Sequence, residues 1–312
     1  MIIRVDALGL EVTREPSTEA LYRERVAMLR RRASEDMGCG VSLFDTIDCL
    51  ALAHEEFSPA TLRQYSAALA MAIDFAEELG ELDDKQVLAC RERLTHRPAP
   101  RKRGAEKRTS AKKRKSMCAS ELRAVGEALR KRGRAGDMLL LRLLINNVVF
   151  GLRPSEYSGA EVGEIYLVVQ TAKATNGRAL SETRELELEG LPDGQIESLC
   201  TLIADLETAA QGNVPALIDS LGARLRRACK SAGIEPFSLY TTRHQAIANL
   251  KGSGSAEEVA AFAGQGSIHT ARKSYAPRSA AWSIKKTVRA SPDMVELVRA
   301  RQASRMALQP KL

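Results

Sequence analysis

The 312 residues are 44% hydrophobic and 28% charged, enough for two globular domains and too apolar for a chain disordered throughout. Lys and Arg number 47 against 39 Asp and Glu, a formal charge of +8 and a pI near 9.3, which suits a polyanionic partner. Six scattered cysteines without a CxxC pair exclude a zinc or disulfide framework, and no run reaches the length of a membrane span or reads as a signal peptide; a cytoplasmic, nucleoid-associated protein with reduced thiols is expected.

Helical spacing of apolar residues predicts elements over residues 21–29 and 43–52. Ser58-Pro59 then supplies an N-cap and a first-turn proline for a third helix that runs to Gly80, and residues 87–94 give a fourth. Residues 1–95 therefore form a helical N-terminal domain. They hold 11 Lys and Arg against 18 Asp and Glu, a net of −7, so residues 96–312 carry +15.

Residues 96–118 change abruptly to a basic interdomain linker containing Arg97, Arg101, Lys102, Arg103, Lys107, Arg108, Lys112, Lys113, Arg114 and Lys115, with two prolines and almost no large apolar side chain. Such a run is either a solvated tether or a nucleic-acid contact. The near absence of acidic residues favours the second, because each phosphate neutralised releases condensed counterions.

Residues 119–281 form a second domain. Helical patterning resumes at Ala119, and the apolar stretch 138–150 reads as a buried helix closed by Gly151. Alternation at Ile165, Leu167 and Val169, a turn at 174–178 and renewed alternation over 184–189 predict a small hairpin. Helices return over 193–212, 215–232, 243–250 and 256–263, and residues 282–312 hold an amphipathic C-terminal helix, whose pattern alone allows packing on its own domain or a frayed tail. The expected fold is mainly α with a small antiparallel sheet.

Two arginines stand at informative places: Arg153 follows the buried helix and its glycine, and Arg243 lies near a helix start beside His244. A guanidinium keeps its charge and donates to two phosphate oxygens at once, so a pair of them suits stabilisation of a reacting phosphate. Tyr275 lies further on, a phenol that needs cationic neighbours to ionise.

In this order and context the residues resemble the tyrosine recombinase (phage integrase) family. Gly151-Leu152-Arg153-Pro154-Ser155-Glu156 matches the family's first arginine motif in full, and Tyr240-Thr241-Thr242-Arg243-His244 matches its His-x-x-Arg-His motif except for Tyr240 in the first position. Ala263-Gly264-Gln265 stands where the family has Leu-Gly-His, Lys173 falls at the hairpin lysine, and Tyr275 is the nucleophile by position, in the register of members with the longer spacing. The match covers roughly residues 119–280.

The resemblance implies a catalytic set of Arg153, Lys173, Tyr240, Arg243, Gln265 and Tyr275, with no metal or other cofactor. It further implies double-stranded DNA clamped between the two domains with the basic segment crossing it, homotetramers on paired sites, a 3′-phosphotyrosyl intermediate, and a C-terminal tail docked on a neighbouring protomer. Tyr240 and Gln265 each keep a hydrogen-bond donor but offer no protonated imidazole. They leave open the alternative of a catalytically impaired DNA-binding protein on the same fold, serving as an accessory factor beside another recombination protein.

Overall fold

The computed structural model describes residues 16–95, 114–172, 179–269, 275–283 and 288–307. They form two compact units, one holding residues 16–95 and the other everything from Arg114 onward.

In the first unit four helices, α1 (Pro16–Met37), α2 (Leu43–Leu52), α3 (Pro59–Glu78) and α4 (Asp84–Thr95), enclose one core. Ser42 caps α2 in a reciprocal box with Asp45, and the Ser58 hydroxyl accepts the Thr61 N–H at 3.1 Å at the start of α3. From α3, Leu69, Ile73 and Ala76 recur at helical spacing and bury their side chains against Ile47 and Leu50 of α2 and Val87 of α4. Each such aliphatic side chain contributes roughly 1.5–3 kcal/mol by leaving water.

The second unit is built around α6 (Ala135–Phe150), which packs against α5 (Ala119–Arg132), α7 (Asp193–Ala210), α8 (Val214–Ser231) and α9 (Leu239–Ser253). Leu139, Leu140, Leu141, Leu143 and Leu144 are all buried, so α6 is apolar on nearly every side, as a helix surrounded by others must be. The polar exceptions are paired: Asn147 donates to Thr242 Oγ1 at 2.8 Å and accepts from the Tyr157 hydroxyl at 3.0 Å. Gly151 ends the helix at φ +60, and its N–H bonds back to the Asn147 carbonyl at 3.0 Å.

Three antiparallel strands, β1 (Glu161–Val162), β2 (Tyr166–Gln170) and β3 (Thr183–Glu187), lie in the order β1-β2-β3. In the β2–β3 register Leu167 faces Leu186 and Val169 faces Arg184. Sequence alternation gave β2 and β3, but β1 is two residues long and carries no periodic signal. Ile165, expected inside with Leu167 and Val169, precedes the strand and is 56% exposed. On its other side β3 takes up residues 289–291, through the Glu187 N–H to the Arg289 carbonyl at 2.9 Å and the Ser291 N–H to the Glu185 carbonyl at 3.0 Å.

α10 (Ala256–Phe262) and α11 (Pro292–Ala307) complete the unit. The tail helix packs on α10 of its own chain, with Val295 and Val298 buried in the common core. Among the described residues no helix is long and apolar enough to cross a membrane, and no group of His, Cys, Asp and Glu is placed to hold a metal ion.

Candidate functional site

Four elements converge below the C-terminal end of α6. Arg153 immediately precedes a short 3-10 turn, Pro154–Tyr157, that directs Glu156 back into the protein. Glu156 is fully buried. It accepts the Arg153 backbone N–H at 2.7 Å and the Ala172 N–H at 3.2 Å, and it pairs with three guanidinium groups: Arg153, Arg184 at 2.7 Å and Arg243 at 3.4 Å. Burial alone would raise its pKa, but the charges of Arg184, Arg243 and Arg153 outweigh that and hold the carboxyl at about 2.

Arg243 projects from the first turns of α9 and is 0% exposed. Its Nη1 donates to the Gly151 carbonyl at 2.6 Å and its Nη2 to the Ala263 carbonyl at 2.8 Å, so the ends of α6 and α10 fix its plane. The remaining edge faces Tyr275: Nη2 and Nε lie 3.2 and 3.4 Å from the phenolic oxygen. Gly151 is required here twice over, since besides its positive φ a Cβ would stand 2.7 Å from Phe262 Cε1 and 3.0 Å from Ala246 Cβ.

The Tyr275 oxygen also lies 3.2 Å from Gln265 Nε2 and within hydrogen-bonding reach of the Tyr240 hydroxyl. Burial raises the pKa of this phenol, yet Arg243, Tyr240 and Arg153 together bring it below the ordinary tyrosine value. Tyr240 moves the opposite way, raised chiefly by burial. Of the two hydroxyls, that of Tyr275 is the one placed to ionise, with Tyr240 donating to it.

The chain after Tyr275 is tied to α9 by polar side chains. Lys251 donates to the Ala276 carbonyl at 2.9 Å, Gln245 to the Ala280 carbonyl at 2.7 Å and Arg278 to the Gly252 carbonyl at 3.1 Å, while Asn249 accepts the Trp282 N–H at 2.8 Å. The same helix thus carries Arg243 and holds the segment bearing Tyr275.

Of the six residues expected in the catalytic set, Arg153, Tyr240, Arg243, Gln265 and Tyr275 meet at this site. Lys173 lies outside the described residues, as do the basic residues from Arg97 to Lys113. Arg114 and Lys115 enter the second unit beside α9, where the Arg114 carbonyl accepts the Thr241 hydroxyl at 2.9 Å and the Arg114 side chain pairs with Glu121 at 2.6 Å.

Three members of the site were not singled out from sequence. Glu156 stood in the first motif without a role, although it is the hub of the charge network. His244 sits between two tyrosines, its ring centroid 5.1 Å from each of Tyr240 and Tyr275, and burial with the nearby Lys115 and Arg243 lowers its pKa to about 4. Arg184 is fully buried on β3, and a signal for it existed: it shares strand parity with Leu186 and Leu188, so alternation points it inward.

The fold is that of the tyrosine recombinases. In fold the chain is similar to a chain of a lambda integrase tetramer bound to a Holliday junction, with 15% identity over 88% of this chain and 76% of that one and a TM-score of 0.53. It is similar also to a dimer of lambda integrase residues 75–356 bound to a COC′ core site, with 14% identity, 88% and 93% covered and a TM-score of 0.54. A third lambda integrase structure, bound to DNA, gives 15% identity, 81% and 85% covered and a TM-score of 0.51. No protein-family model matches the sequence, and no curated protein does.

Proposed function

We propose that this protein is a site-specific DNA recombinase that cleaves and rejoins strands through a 3′-phosphotyrosyl intermediate. The observation that carries the reading is the Tyr275 oxygen, surrounded by donors from Arg243, Gln265 and Tyr240 in a cluster whose carboxylate is outnumbered by guanidinium groups. A phenolate gains from such a cage, and a phosphate entering it meets preorganised positive charge.

In the proposed step Tyr275 gives up its phenolic proton to solvent, its oxygen attacks phosphorus, the bond from phosphorus to the 5′ oxygen breaks, and that oxygen leaves with a proton from Lys173. The 3′-phosphotyrosyl bond conserves the energy of the broken link, so a 5′ hydroxyl of a partner strand can reverse the step without a nucleotide. Arg153 and Arg243 hold the nonbridging oxygens. Tyr240 and Gln265 serve as neutral donors where imidazoles would stand, which removes two proton carriers from the site but leaves the cage intact.

The test begins with duplexes selected by binding from a randomised pool, then nicked beside the bound core so that a cleaved fragment diffuses away. The wild-type chain is expected to accumulate a covalent adduct that Tyr275→Phe does not form. Sequence-specific binding by the wild type with no adduct would overturn the enzyme reading and assign the chain to the accessory, DNA-binding role.

A further inference from the structure

We propose that Arg184 is a positioning residue whose task is to keep the phosphate site positive: it takes up the charge of Glu156 from the sheet side, leaving Arg153 and Arg243 oriented by that carboxylate but not neutralised by it. The proposal rests on the recombinase reading and concerns a residue that touches neither the phenol of Tyr275 nor the expected position of the phosphate.

Three observations carry it. Arg184 and Glu156 are both 0% exposed and lie 2.7 Å apart; Arg184 shares the carboxylate oxygen Oε2 with Arg243, which stands further off at 3.4 Å, while Arg153 holds the other oxygen, Oε1, in a closer contact still. The Arg184 side chain makes no other hydrogen bond among the described residues: its Nε and Nη1 are buried without partners. Burying a guanidinium with two idle donors is costly, so packing alone is a poor reason for an arginine on this strand when Leu186 and Leu188 fill the same face. Finally, room has been left for it. Gly264 lies so close that an added Cβ would stand 3.3 Å from Arg184 Cδ and 3.4 Å from its Nη1, and Gly264 precedes Gln265.

The charge count gives the reason. Arg153 and Arg243 with Glu156 alone sum to a single positive charge; with Arg184 the sum is two. With the phenol of Tyr275 neutral in the bound complex, the site holds one negative charge, and once that phenol has lost its proton and attacks, the reacting group carries two, so the second positive charge is felt in the transition state more than in the bound substrate. Arg184 therefore supports the rate and leaves DNA affinity nearly untouched.

This makes a sign-specific prediction. Arg184→Met removes a cation and leaves Glu156 free to cancel one of the remaining arginines. Adduct formation at saturating protein should slow by about 100-fold, with affinity for the same duplex changed by less than about threefold. Adding Glu156→Gln to that variant removes the cancelling charge and should restore at least about tenfold of the rate. A residue that merely packs would give a double variant no faster than the single one.

The second readout needs no DNA. Ionisation of Tyr275, read as the ultraviolet difference between each protein and its Tyr275→Phe counterpart, should move to higher pH in Arg184→Met and return in the double variant. Arg184→Lys, which keeps the charge without the fork, should stay near the wild type in both; if Arg184→Met does not fold, Arg184→Gln replaces it, with the same slowing and the same rescue by Glu156→Gln expected. Absence of rescue in both readouts, or a wild-type rate in Arg184→Met, would overturn the proposal. Absence of any adduct in the wild type would overturn the recombinase reading, while the phenol titration would still decide the role of Arg184.

Discussion

Replacing Gly151 by alanine should damage the second unit more than any comparable glycine substitution, and the structure separates the reasons. At φ +60 an alanine is strained by about 1–2 kcal/mol. Its Cβ would also press on Phe262 at 2.7 and 2.8 Å and on Ala246 at 3.0 Å, all in a close-packed interior, which adds roughly 1–3 kcal/mol. Gly233 is the control: its φ is +68, but nothing lies within 4 Å of an added Cβ, so Gly233→Ala should cost about 1–2 kcal/mol from strain alone. Trp282 is the only tryptophan and lies in the second unit, its indole N–H on the Met117 carbonyl at 2.8 Å, so urea denaturation followed by its fluorescence reports that unit by itself. Gly151→Ala is expected to lower the midpoint at constant slope by about 2–5 kcal/mol in total, and to slow adduct formation, because the Gly151 carbonyl is the 2.6 Å acceptor that fixes Arg243. Equal losses in the two variants would show that the approach of Phe262 to Gly151 does not govern this corner of the fold.

The acid side of the stability profile should show two successive losses. His244 is held near a pKa of 4, below its unfolded value, so the unfolded chain binds the extra proton first; the stability it contributes is complete above about pH 6.5 and is lost as pH falls toward 4, and His244→Phe should flatten that window in Trp282-monitored denaturation. The Glu156 carboxyl, depressed to about 2, contributes stability that is complete above its ordinary value near 4.5 and disappears as pH falls through 2; the shift corresponds to about 3 kcal/mol, and Glu156→Gln should remove the dependence. Gln245 joins the Met117 N–H at 3.3 Å to the Ala280 carbonyl at 2.7 Å, and Gln245→Ala should cost about 2–3 kcal/mol by leaving both unpaired. It should also slow adduct formation by loosening the segment that follows Tyr275, a loss measured at saturating DNA.

What the sequence disclosed follows from which interactions are local. The cap at Ser58-Pro59, the glycine stop after Phe150 and the apolar spacing of α3 and α6 are set by residues within a few positions of one another, and these elements fall close to their predicted bounds. Arg153 and Arg243 were found because each sits at a helix boundary with a short motif around it. The central place of Glu156 was not legible, because two of its three guanidinium partners come from distant elements, β3 and α9. His244 was passed over for the same reason, its neighbour Tyr275 being 31 positions away in a segment laid back across α9. The tail helix was expected on a neighbouring protomer by resemblance, while its amphipathic pattern alone allowed its own domain; Val295 and Val298 pack there.

The pairing of residues 289–291 along β3 bears on more than the sheet. Without it β3 would be an edge, free to shift its pairing with β2 and open to foreign strands. A slip of a single residue reverses which side chains point inward, and here the residues exchanged would be Arg184 and Glu185. The cluster would then hold two carboxylates against two guanidinium groups and lose its net charge altogether. By hydrogen-bonding β3 on both flanks, the chain guards the electrical sign of the site with backbone contacts that lie outside it.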